Sequence, residues 1–175
     1  MGNTLLEDVQ YKIETTRWGT WRRYGYIDGT SYHEFTSHAS LWGLPLVHYT
    51  YGRNPETGRR RVAKGIVAVG RLACGIIAIG HASLGLIAIG QLGVGVLFGL
   101  GQLATGVCAA GQFAIAAGFA VGQFAAGYVA VGQFVFGKYG LGQLGIGTYL
   151  WTMYRSDPEA MALFKSLPFI GPMLP

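Results

Sequence analysis

The chain reads as an all-β protein: a parallel β-solenoid of about eight short two-arm coils, with an aromatic N-terminal cap and a short C-terminal capping helix. Three observations predict it. A five-residue arm, Gly-x-Φ-small-Φ with Φ apolar, recurs sixteen times without a linker over residues 65–146. Charge is almost absent from those arms, where only Arg71 and Lys138 are ionised. The flanking segments are of another composition, which divides the chain into a cap region at 1–64, a repeat at 65–150 and a cap helix with tail at 151–175.

The arms come in pairs, because the second position alternates. Ile66, Ile76, Leu86, Val96, Val107, Gly118, Tyr128 and Lys138 occupy one series, and Arg71, His81, Gln91, Gln102, Gln112, Gln123, Gln133 and Gln143 the other. A short fixed period marks an array whose units bury their apolar faces by stacking on neighbours. A helix advances 100° per residue, so glycines five apart would spiral round it and line no interface. Apolar residues at positions three and five, around a small fourth, give the alternation of a short strand. Glycine then supplies a corner where φ can be positive. A four-sided winding with twenty residues per coil, as in pentapeptide-repeat proteins, fits the same arms and ranks second.

The polar series sets the expected orientation. Six glutamines, His81 and Arg71 turned inward would be desolvated without partners. Positions three and five are therefore expected to fill the core, from Val67 and Val69 to Phe134 and Phe136. The outside then shows two surfaces. One is a polar face of Gln91, Gln102, Gln112, Gln123, Gln133 and Gln143. The other is a flat apolar face of Ile66, Ala68, Ile76, Ala78, Leu86, Ala88, Val96, Val107, Ala109, Tyr128 and Ala130. Hydrophobic residues are 51% of the chain and charged ones 12%, whereas a soluble monomer disperses both charge signs and avoids large apolar patches. The apolar face is expected to be a self-association face.

Of the segment before the repeat, residues 4–16 read as a helix, the Asp28-Gly29 pair as a turn, and residues 44–51 as a strand. Trp18, Trp21, Tyr24, Tyr26, Phe35 and Trp42 supply aromatic area for a cap. Arg59, Arg60, Arg61 and Lys64, in a chain of net charge +5, are candidates for contact with phosphate or anionic lipid, against the plainer reading of a solvated loop. After the repeat, Ser156 as N-cap and Glu159 three residues on signal a helix that Pro168 ends.

A resemblance is carried by Phe35, Ser37, the run GLPLVH at 43–48, the turn NPETG at 54–58 and the arms that follow. Residues 35–147 resemble a set of uncharacterised bacterial glycine-rich tandem-repeat proteins, in which such a junction precedes AIG-type arms. The resemblance implies the fold and no activity. The chain departs from that group in placing Gln after the arm glycine, where a second Gly is common. The repeat is similar, more weakly, to the narrow β-roll heads of trimeric adhesins.

No enzyme is expected. The GLGQLG run at 140–145 fits the dinucleotide fingerprint only because the repeat generates it, and no strand and long helix flank it. His81 and Ser83 sit one glycine short of a nucleophile elbow. His33, Glu34 and His38 are at spacings more often structural than metal-binding, and His48 is expected to hydrogen-bond within the cap. Cys74 and Cys108 read as reduced, buried thiols, and no cofactor is implied. Residues 1–10 are polar and Leu6 breaks the myristoylation pattern, so the expected address is cytoplasmic, with membrane association left open. The function expected is a non-enzymatic scaffold that self-associates through its solenoid faces or ends, as a homo-oligomer or polymer. The alternative is a membrane-associated accessory protein with its apolar face on lipid or on a membrane protein. Nucleic acid is not an expected partner.

Overall fold

The computed structural model describes residues 9–174. They divide into two compact units, with the boundary between Leu92 and Gly93. The helix expected at 4–16 and the polar segment at 1–10 fall partly on residues 1–8, outside the described residues; within the described part of that helix, Lys12–Thr15 is a strand.

In the first unit, β1 (Lys12–Thr15), β2 (Gly19–Gly25) and β3 (Ser31–Ser37) form an antiparallel meander. Strand β6 (Val47–Tyr51) pairs antiparallel with β3 and parallel with β7 (Ala63–Gly70). Strand β7 pairs parallel with the start of β8 (Leu72–Trp151). Between β3 and β6, β4 (Ser40–Leu41) and β5 (Leu44–Pro45) make a hairpin. Its two central residues, Trp42 (φ 53) and Gly43 (φ 77), both have positive φ, as a type I′ turn demands. The expected strand at 44–51 is thus two strands, and the Asp28-Gly29 turn joins β2 to β3, with the Asp28 carboxylate accepting the Thr30 amide at 2.9 Å.

The predicted solenoid is corrected here. The structure holds a mixed six-stranded sheet in the order β1-β2-β3-β6-β7-β8, a two-stranded sheet and a short helix, and no sheet curls or closes. The physical reason lies in the glycines. Among the described residues, the positive-φ positions are Gly29, Trp42, Gly43, Gly52 and Gly58, all before the repeat. The arm glycines therefore turn no left-handed corners. They answer a different need: a Cβ on Gly132 would run into the carbonyl of Gly122. The ten-residue period appears as a pairing register, with Ala63 opposite Ala73 and Val67 opposite Ile77, which excludes the twenty-residue winding.

At positions three to five the orientation is also the reverse of that expected. Fourth positions are buried: Ala68, Ala78 and Ala88 in the first unit, and Ala104, Ala109, Ala114, Ala120, Ala125, Ala130 and Val135 in the second. Positions three and five are half-buried or exposed, the latter as at Phe113 and Ile115 around Ala114 and at Phe134 and Phe136 around Val135. Backbones approach so closely that the interior admits little beyond one methyl group per arm, and packing at this density rejects larger residues.

In the second unit β8 ends at Trp151, and α1 (Pro158–Ser166) follows. Asp157, not Ser156, is the N-cap residue, with extended backbone, and Pro158 opens the helix where its missing N–H costs nothing. Ser156 instead forms a bridge with Trp151. Ala160 and Phe164 are the buried face of α1, and Lys165 places its Nζ 5.7 Å from the Trp151 ring centre. No helix of the described residues is long and apolar enough to cross a membrane.

Candidate binding face

The densest set of polar side chains lies in the first unit, on the inward face of the meander. Register places Glu34 opposite Arg22 and Thr50, and His48 opposite Thr36 and Ala68. The Glu34 side chain is 5% exposed. Its carboxylate is 3.0 Å from Nε2 of His48, accepts the Tyr32 hydroxyl at 2.9 Å, and pairs with the Arg61 guanidinium at 3.1 Å. On the other side of the ring, His48 Nδ1 accepts the Lys64 amide at 2.8 Å. Burial alone pushes the Glu34 carboxyl up, but the hydrogen bonds from His48 and Tyr32 and the charge of Arg61 outweigh it and hold the group below its ordinary value.

Each of these side chains has a partner within the unit, and among the described residues no buried side-chain polar atom is left without one. Its chemistry is that of a satisfied internal brace. His48 thus acts as the sequence suggested. His33 bonds Ser31 and His38 bonds Thr20, so the His33, Glu34 and His38 trio is dispersed. Among the described residues no group of metal-ligating side chains converges. Of the basic candidates, Arg61 is committed to Glu34, while Arg59, Arg60 and Lys64 are exposed. Ser83 is buried and its hydroxyl donates to the Leu92 carbonyl. Cys74 and Cys108 are free and half-buried.

The expected association face is divided by the structure. Leu86, Val96, Val107 and Tyr128 are exposed, and Ile66 and Ile76 half-buried, but Ala68, Ala78, Ala88, Ala109 and Ala130 line the interior. The six glutamines are exposed, as anticipated.

What the sequence reading put inside is an exposed apolar surface of the second unit. On the arms that begin Gly-Gln, residues Leu103, Phe113, Ile115, Phe134, Phe136, Leu144 and Ile146 are each 40% to 69% exposed. Glycine contacts align these arms: side chains at Gly111, Gly122, Gly132 and Gly142 would each meet the corresponding glycine carbonyl of the preceding arm of this series. The rings of Phe113 and Phe124 are accordingly neighbours, with centres 5.7 Å apart. Three half-exposed phenylalanines alone leave roughly 300 Å² of ring surface in water, comparable with the largest apolar patch of an ordinary monomer. Lys138, the one ionised residue at 93–150, belongs to the other arm series. It bonds the Tyr128 hydroxyl at 3.2 Å and lies 5.7 Å from the Tyr139 ring centre. The signal for this face was present in the fourth position, small in nearly every arm, which marks the side where space is shortest.

The chain matches no protein-family model, no curated protein and no solved structure. The scaffold reading is corrected with the fold it rested on: without a curled sheet there are no solenoid faces or ends to assemble. The alternative placed the Ile and Ala surface on lipid, and the alanines of that surface are interior.

Proposed function

We propose that the chain is a non-enzymatic binding module whose working surface is the uncharged Leu and Phe face of the Gly-Gln arms in the second unit. Its partner is a neutral polypeptide surface of aliphatic and aromatic side chains. The observation that carries this reading is the outward projection of Phe113, Phe134 and Phe136 from a stretch without an opposing charge. Exposed contiguous apolar area marks an interaction site, and aromatic residues are the usual anchors.

Two features favour protein over lipid. Exposed glutamines adjoin the face on each of these arms, and their amides suit backbone partners, whereas hydrocarbon would strand them. The Gly-Gln arms of the second unit carry no cation that would draw anionic headgroups. The satisfied state of the Glu34 cluster supports the absence of catalysis.

The test is binding of the full chain to a panel of short neutral peptides rich in Val, Ile and Phe, to the same peptides with a central Asp or Lys, and to neutral and anionic vesicles. The neutral peptides bind, a central charge abolishes binding, and Phe113→Ser with Phe134→Ser weakens it about tenfold or more. Binding to vesicles alone, or equal binding by the variant, overturns the reading.

A further inference from the structure

We infer that the segment after β8 is a strap that seals the open hydrogen-bonding edge at Thr148 and Leu150, and so keeps a second copy of this chain from pairing there. Residues two apart in a strand direct their backbone groups to the same edge. Gly147 packs on the Gly137 carbonyl on one side. No further arm follows Ile146 to cover the other.

The chain returns on itself instead. The Leu150 amide donates to the Asp157 carboxylate at 2.7 Å, and the Asp157 amide donates to the Leu150 carbonyl at 2.8 Å. One residue thus takes both backbone groups of Leu150, as a neighbouring strand would. The Thr148 carbonyl accepts from the Arg155 guanidinium at 2.8 Å, and the Arg155 Nε is 2.8 Å from the Asp157 carboxylate. The Thr152 amide closes the loop on the Arg155 carbonyl at 2.7 Å. Arg155 and Asp157 are the first charges after Lys138, and both are spent on this edge. An unpaired neutral edge is a template for another strand, and charged side chains turned to it are a recognised guard. The Leu150 amide also holds the Asp157 carboxyl below its ordinary value, with the Arg155 hydrogen bond and charge adding to the effect.

The full-length double variant Arg155→Ala with Asp157→Ala tests the strap. Wild type stays at one discrete size in sedimentation velocity with low thioflavin T fluorescence. The variant keeps a native far-UV spectrum, assembles, and raises thioflavin fluorescence several-fold. Adding Thr148→Lys, which charges the same edge, returns it to a discrete size. A native-like variant that stays discrete overturns the inference. So does assembly that Thr148→Lys leaves unchanged, because it would arise from general unfolding and not from this edge.

Discussion

The Cγ2 methyl of Val135 fills the space into which a side chain at Gly145 would project, only 2.5 Å from the position of an added Cβ. Val135 stands where the six preceding arms, from Gly101 on, place Ala, and both following fourth positions, Gly140 and Gly145, have given up their methyl groups. The interior thus conserves volume along the strand: one residue grows as its neighbours shrink.

That relationship predicts coupling. Val135→Ala leaves a void and costs about 1–3 kcal/mol, by analogy with other losses of buried methyl groups. Gly145→Ala alone forces a clash with Val135 and costs a similar amount. The two together cost less than their sum by about 1 kcal/mol or more in urea denaturation, the signature of a shared volume. Strict additivity would show that the two positions do not share the interior.

Charge at the interior positions is not tolerated. The sequence reading placed Ala88 and Ala109 on the outer face, where lysine would be accepted with the fold intact. The structure buries both, at 0% and 2% exposure. Each single substitution to Lys is expected to abolish cooperative thermal unfolding, because an unpaired ammonium in a space of methyl width is desolvated without compensation. A folded, soluble Ala109→Lys chain would return these alanines to the surface.

The Glu34 brace makes the first unit sensitive to both ends of the pH scale. Glu34→Ala strands the His48, Tyr32 and Arg61 groups and is expected to cost about 2–4 kcal/mol. The folded carboxyl lies below its unfolded value, so its contribution is present above about pH 4.5 and is lost as pH falls through the folded pKa. Burial and the Glu34 hydrogen bond push the Tyr32 phenol up to about 12. A raised pKa contributes stability below the unfolded value near 10, and that contribution fades as pH rises toward 12. Chemical denaturation across pH shows both slopes in wild type, and Glu34→Gln flattens the acid one.

Strand formation was legible, and so was the period, because alternation and repeated glycine are local signals that tertiary context did not override. The winding was not. Glycine serves both left-handed turns and close backbone approach, and the letters of Gly132 do not say which; only the missing positive φ decides. Orientation failed for a related reason. Burying large side chains such as Phe134 and exposing small ones is the default, and it yields when the backbones leave room for an alanine alone. The Glu34 cluster lay beyond reach because its members come from β3, β6 and the segment ahead of β7, and only register brings them together. The pairing of Ser156 with Glu159 resembles a capping box, but Asp157 is the N-cap residue, and its carboxylate accepts the Leu150 amide instead of capping the helix.

The direction in which the arm side chains point is tested most directly by thiol labelling with a charged, membrane-impermeant reagent. In a background carrying Cys74→Ser and Cys108→Ser, Phe134→Cys and Val135→Cys are compared in the folded chain and in urea. The account predicts fast reaction at position 134 in both conditions and protection at position 135 until the chain unfolds. Protection at 134 with free reaction at 135 would contradict it, and with it the binding face.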